Sequence, residues 1–382
     1  MAIYIIVALA FLVHIGFAGS RLAVPLFAID AGSSPFLVGV VVALYAAFPT
    51  VLSVPAGRMS DRLGFKPPLV FGTGGVLVAL LLPAIWPSMT TLYFTAALIG
   101  LAFMALQLAT QTLAGVVAAP EERARNFSMV SLGFAVANLI GPLVTGFLID
   151  EVGYAWTFAA LAVPIVPAFI LSCVRTSWIP TAQARHERAT GSTLDLLRIK
   201  PLRDTLIASG IVSAAWDVYQ FFMPIYGRSL GLSATAIGTI MTAFAVSIIL
   251  VRIGLPWAVR RSGEVQLMTY AMFIAAAAFA VFPIFSGPWM LGVVSFVLGI
   301  GCGCGQPLSM TLVFNTSPRA RVGEATAMRI TVNQITHLVI PLMFGAVGSV
   351  AGFAAVFLTN AGGLVVGGYM SLRNHPKRAP AE

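Results

Sequence analysis

Charge is scarce in this chain. Asp, Glu, Lys and Arg together make up 9% of its 382 residues, against about 25% in an ordinary water-soluble domain. That shortage excludes a chain of this length whose surface mostly meets water. Cysteine is scarcer still: Cys173, Cys302 and Cys304 all fall in or beside apolar runs, so no disulfide framework is expected. Two of them stand in the run GCGCG from Gly301 to Gly305, with no histidine or carboxylate nearby to complete a metal set. The run reads as close helix packing through small residues, and neither metal nor cofactor is expected. A clustered catalytic set is also missing, whether paired carboxylates, a nucleophile with its base, or metal-spaced ligands. An enzyme is therefore not the expectation.

What the chain has is apolar length. Hydrophobic residues are 59% of the total and the mean hydropathy is +0.95. Runs near the roughly 20 residues that a membrane-crossing helix needs recur at 4–28, 36–57, 68–86, 90–117, 126–149 and 154–174. A second set follows at 204–227, 235–258, 266–286, 289–314, 325–349 and 353–372. Backbone amides in hydrocarbon find no water to bond, so the runs are predicted to be helices. The expected class is an all-α membrane protein with twelve transmembrane helices in two pseudo-symmetric six-helix bundles. The lipid bilayer is its first partner.

The formal charge of +9 does not point to nucleic acid, because the basic residues are spread along the chain rather than gathered on one soluble face. They fit a topology instead. With the N-terminus in the cytoplasm, Arg58, Arg62, Lys66, Arg123, Arg125, Arg260, Arg261, Arg319, Arg321 and the basic tail from Arg373 all lie inside. Asp30, Asp150, Glu151 and Arg228 fall in the outer loops. This is the positive-inside bias, and an even helix count returns the C-terminus to the cytoplasm. The opening residues lack a basic start and stay apolar past Arg21, so they read as the first span, not a cleaved leader.

Shifting the sequence against itself by one constant offset aligns the two sets of runs. Pro25 matches Pro224, Gly32 matches Gly231, Gly64 matches Gly263, Gly100 matches Gly299, Gln107 matches Gln306, Pro142 matches Pro341 and Gly153 matches Gly352. The register holds without a gap through six runs, as expected of parallel halves that enclose a central site and rock about it. The expected division is a first bundle at 1–174, a cytoplasmic linker at 175–202 and a second bundle at 203–382. In the linker, Leu194, Leu197 and Ile199 among basic residues suit either a short helix on the inner leaflet or a disordered tether.

Between the second and third runs stands Gly57-Arg58-Met59-Ser60-Asp61-Arg62-Leu63-Gly64-Phe65-Lys66. It resembles the signature loop of the major facilitator superfamily, with Gly57, Asp61, Arg62, Gly64 and Lys66 on the pattern and Phe65 in place of a basic residue. The resemblance implies a bacterial inner-membrane secondary transporter. It also implies that Asp61 is a conformational latch on the cytoplasmic side, with Arg123 or Arg125 as partner. The plainer alternative is that the basic residues only fix topology. In the second half the aspartate position is Arg260, so a latch would be one-sided. The stretch from Asn138 to Gly146 is similar to the glycine-proline motif of the family's proton-driven exporters, with Ala137 and Thr145 where glycines are usual. Ala96 stands where exporters usually carry an arginine in the fourth run, so that arginine's role in proton transfer has no counterpart here.

An ionisable group at membrane depth costs about 2.5–3.5 kcal/mol on insertion scales and marks a functional candidate. Asp217, near the middle of the seventh run in Trp216-Asp217-Val218-Tyr219-Gln220-Phe221, stands out. Helical spacing puts Gln220 and Phe221 on its face. The repeat equivalent of Gln220 is Arg21, and the family lines its cavity with those two helices. Three readings stay open for Asp217: a titrating proton carrier, a carboxylate kept charged by Arg21, or half of a static buried pair. Gln107, Gln306, Asn333 and His337 are further candidates for solute or proton contact, although each also suits interhelical packing. For His337, whose repeat equivalent is Asn138, packing is the favoured role. His14, Arg252, Glu324 and Arg329 carry less weight. Together these features predict a monomeric transporter that works by alternating access, exporting a small organic solute in exchange for protons. Uptake or facilitated diffusion is the alternative, and a channel or membrane-embedded enzyme a distant one.

Overall fold

The computed structural model describes residues 2–117, 123–174, 193–318 and 321–373, apart from the side chains of residues 53, 54, 56–63, 123, 124, 193, 194, 322, 323 and 327. Among the described residues every regular element is a helix. In chain order they are α1 (Ala2–Asp30), α2 (Pro35–Leu63), α3 (Lys66–Ile85), α4 (Met89–Val116), α5 (Arg123–Ala162), α6 (Ile165–Val174), α7 (Lys200–Ser229), α8 (Ala234–Ser262), α9 (Glu264–Val281), α10 (Pro288–Thr316) and α11 (Val322–Arg373). Among the described residues ten segments are long and apolar enough to cross a membrane. Two of them, Arg125–Val174 and Glu324–Arg373, are 50 residues long, enough for two crossings each.

Both long segments bend at a glycine. Gly153 in α5 has φ 77° and ψ 176°, and Gly352 in α11 has φ 76° and ψ 176°. Only glycine occupies that region without strain. The two are one repeat apart, and so are the remaining positive-φ glycines, Gly32 with Gly231 and Gly64 with Gly263. The repeat seen in sequence is thus a repeat of backbone geometry as well.

Close helix crossings follow the same rule. A Cβ added to Gly100 of α4 would lie 2.2 Å from the carbonyl oxygen of Tyr45 in α2. One added to Gly299 of α10 would lie 2.6 Å from the carbonyl oxygen of Phe244 in α8, and Phe244 is the repeat equivalent of Tyr45. Glycine at these points lets two backbones touch, which is how helices gain packing energy where lipid supplies no hydrophobic drive.

The described residues pack as two units. The first contains α1 to α6 together with Gln220–Thr242 and Pro341–Ser349, so that one end of α7, of α8 and a middle stretch of α11 belong to it. The second contains residues 193–219, Ala243–Ile340 and 350–373. Packing therefore departs from the chain order at these segments. In the second unit the end of the linker forms a 3-10 turn, Thr193–Arg198. Its Leu196 is buried with Leu202, Leu206, Val313 and Ala325, and Ile199 packs against the same cluster. Leu197, in contrast, is exposed. Six residues of 3-10 turn are too short for a helix lying on a leaflet, and the buried leucine here packs against protein. Residues 175–192 of the linker lie outside the described residues.

Candidate functional site

In the second unit the structure joins two residues that stand 120 positions apart in sequence. Asp217 lies mid-helix in α7 with its side chain 1% exposed, and its Oδ2 is 2.5 Å from Nδ1 of His337 in α11. The His337 side chain is 33% exposed. Packing was the role that sequence reasoning favoured for His337, by analogy with Asn138. The two halves differ at the facing position: Asp217 is replaced by Ala18 in the first half, and Asn138 there donates to the Phe134 carbonyl of its own helix at 3.0 Å.

Further along α11, at intervals of four residues, come Asn333 and Arg329, which helical spacing places near one face. Asn333 Oδ1 accepts from the Ser209 hydroxyl of α7 at 3.2 Å. Arg329 is buried, and its guanidinium donates to the Ser309 hydroxyl at 3.0 Å and to the Gln306 carbonyl at 3.2 Å, both in α10. Its repeat equivalent is Val130, also buried. Gln306 itself is exposed, as is Gln111, while Gln107 is half-buried.

The aromatic neighbours of Asp217 separate. Trp216 is half-buried against Phe244, at 5.2 Å between ring centres. Tyr219 is fully buried and stacks on Phe244 at 4.2 Å. Gln220 and Phe221 belong to the first unit, where Phe221 is buried against Phe222. Arg21 also belongs to the first unit, with its guanidinium 6.0 Å from the Phe17 ring centre. His14 is buried there among Phe17, Phe103 and Phe134.

Of the residues of the signature loop, Gly57, Asp61 and Arg62 have side chains outside the described residues, as does Arg123. Gly64 turns the chain between α2 and α3 with φ 82°. Lys66 opens α3, and Arg125 is exposed near the start of α5.

A second constellation, within the first unit, escaped sequence reasoning except as topology markers. Asp30, at the end of α1, accepts two bonds from the guanidinium of Arg228 in α7, one of them at 2.7 Å, and a third from the Tyr154 hydroxyl at 2.5 Å. Tyr154 stacks on Phe27. Asp150 of α5 caps the start of α8: its carboxylate accepts from the backbone of Ala234 at 3.0 Å, from that of Thr235 at 2.7 Å and from the Thr235 hydroxyl at 2.6 Å. A carboxylate at a helix start meets unsatisfied N–H groups and the positive end of the dipole.

Two tight crossings lie beside these ties, related by the repeat. A Cβ on Gly39 of α2 would lie 2.5 Å from the Pro341 carbonyl oxygen of α11, and one on Gly238 of α8 would lie 2.5 Å from the Pro142 carbonyl oxygen of α5. The polar ties are not so related. The repeat equivalent of Asp150 is Ser349, whose hydroxyl donates to Ala346 in its own helix at 2.7 Å.

Comparison with known proteins adds an independent finding. The Major Facilitator Superfamily profile matches residues 6–206 and again 205–382. Multidrug resistance protein MdtG of Salmonella paratyphi A (strain ATCC 9150 / SARB42) is 24% identical over 333 residues, covering 85% of this chain and 81% of that protein. MdtG of Klebsiella pneumoniae (strain 342) is 24% identical over 331 residues, covering 85% and 80%. Among solved structures, peptide transporter POT in complex with sulfate superposes with a TM-score of 0.81 at 15% identity, over 97% of this chain and 94% of that one. A variant of nucleoside transporter NupG does so with a TM-score of 0.80 at 14% identity, over 98% and 99%. At these identities the solved structures speak for the fold alone.

Proposed function

Because the chain belongs to the major facilitator superfamily and is a multi-pass membrane transporter, we propose that it exports a small organic solute in exchange for protons. The observation that carries the reading is Asp217, a carboxylate 1% exposed in the middle of an apolar helix. A buried carboxylate is costly when charged and cheap when neutral, so binding and release of its proton shift the balance between conformations that differ in access to it. The halves 1–174 and 203–382, joined by the linker 175–202, are the two bodies that rock. Export is favoured over uptake because relatives are named multidrug resistance proteins and because of the glycine-proline stretch around Pro142. The setting is a bacterial inner membrane with both termini in the cytoplasm, and the working unit is a monomer.

Proteoliposomes with an imposed pH gradient test the reading. The solute panel should span lipophilic cations, nucleosides and short peptides. Asp217→Asn is expected to lose gradient-driven movement while keeping exchange of labelled for unlabelled solute at equal pH. Wild-type driven transport by Asp217→Asn would overturn the assignment of the proton to this residue. The sign of the gradient that accumulates solute separates export from uptake.

A further inference from the structure

We infer that His337 is the group through which Asp217 exchanges its proton with water, a relay role that rests on the coupling reading above. The geometry is sequential. The carboxylate is 1% exposed and the imidazole bonded to its Oδ2 is 33% exposed, so His337 covers the acid on the side from which that oxygen is reached. Among the described residues the bond to Asp217 is the one hydrogen bond of the imidazole, and a third of the side chain stays open to its surroundings.

His337 stands off the main exposed apolar stripe of its helix. Ile335, Val339 and Met343 form an exposed apolar stripe along α11 at four-residue spacing, the pattern of a lipid-facing surface. His337 is two residues from both Ile335 and Val339, hence about 200° around the axis. Near its own face stand Asn333 and Gln334 one turn away and Ile330 and Arg329 two turns away.

The repeat supplies an internal control. Ala18 and Asn138 occupy the equivalent positions in the first half, where no acid stands at the crossing and the imidazole beside Asn138 is that of His14, buried among aromatic rings. The acid is what the second half adds at this crossing.

The step balances without redox chemistry. Nε2 takes up a proton from water, the Nδ1–H proton passes to Asp217 Oδ2, and the ring is left neutral with its hydrogen on Nε2. Release runs in reverse. Away from the helix ends, the other charged or titratable groups of this unit on the elements around the pair are Tyr219 on α7, stacked on Phe244; Arg252 on α8; Cys302 and Cys304, buried on α10; and Arg329 on α11, bonded to Ser309 and Gln306, while Lys200, Arg203, Asp204, Arg260, Arg261, Glu324, Tyr369 and Arg373 stand toward the ends.

The test compares His337→Asn, which installs the residue of the repeat, with His337→Ala and Asp217→Asn in proteoliposomes. His337→Asn is expected to keep solute exchange at equal pH near the wild-type rate. Its gradient-driven transport should fall by about a hundredfold, the low end of what a positioned proton-transfer group supplies. Added imidazole should restore part of the driven rate to His337→Ala and none to Asp217→Asn. Full driven transport by His337→Asn with an inert Asp217→Asn would overturn the relay and leave the coupling reading standing. Full driven transport by both would overturn both. Loss of equal-pH exchange in His337→Asn, or no rescue of His337→Ala, would make the imidazole a structural partner only and overturn the relay.

Discussion

Asp150 and Asp30 hold helices of different halves through single carboxylates, and their removal should be felt unequally. Asp150 satisfies two backbone donors at the start of α8. Asp150→Ala leaves them without that acceptor, at a cost of about 1 kcal/mol. Arg228 and Asp30 are each more than a quarter exposed, and an ion pair so placed contributes less than about 1 kcal/mol and weakens with salt. The readout is a cysteine at Thr242, whose hydroxyl approaches the Leu139 carbonyl, with Cys173, Cys302 and Cys304 replaced. A membrane-impermeant maleimide added from the α7–α8 loop side should label it about fivefold faster in Asp150→Ala. In Arg228→Met the gain should be smaller and should vanish at high salt. Protonating Asp150 removes its charge as Asp150→Asn does, so acid on that side should speed labelling of the otherwise unaltered protein and leave Asp150→Ala unchanged.

At the scale of the helix, glycine marks where backbones meet. Gly100→Ala puts a methyl 2.2 Å from a backbone oxygen that cannot step aside, an overpacking expected to cost about 1–3 kcal/mol. Gly254→Ala in α8, where no atom lies within 4 Å of the new Cβ, should be neutral or slightly stabilising. Thermal unfolding in detergent should separate the two, with a lowered midpoint for Gly100→Ala only. Helices of this kind were legible in sequence because lipid leaves an apolar run of about 20 residues no other regular form. Their boundaries at Gly153 and Gly352 were less so. The repeat singled out both glycines, yet nothing in composition says that helix continues on either side of a bend without a loop.

Across the whole molecule, the duplication was readable because offset identities fall where geometry permits one residue type: Gly64 and Gly263 at positive φ, Gly100 and Gly299 at contact. Asp217 was readable because one charge in an apolar run is conspicuous. Its partner was not, since pairing with His337 depends on how α7 meets α11, and the repeat suggested packing through Asn138. Asp30 and Asp150 looked like loop charges because the donors they serve, Arg228 and the first turn of α8, are brought to them only by folding. The topology proposed above makes its own prediction. Cysteines placed beside Lys66 and beside Gly263 should react with an impermeant reagent from the same face, the cytoplasmic one, and one placed at Ser233 from the opposite face.

The unequal seams around Gly39 and Gly238 have a mechanical outcome. The α5–α8 edge is riveted by Asp150, while the α2–α11 edge, with Ser349 turned back on its own helix, is merely pressed together. In the rocking proposed above, these helices should part first at the unriveted edge and pivot on the other. A solute leaving by that route would then depart sideways, past α2 and α11, before the opposite edge lets go.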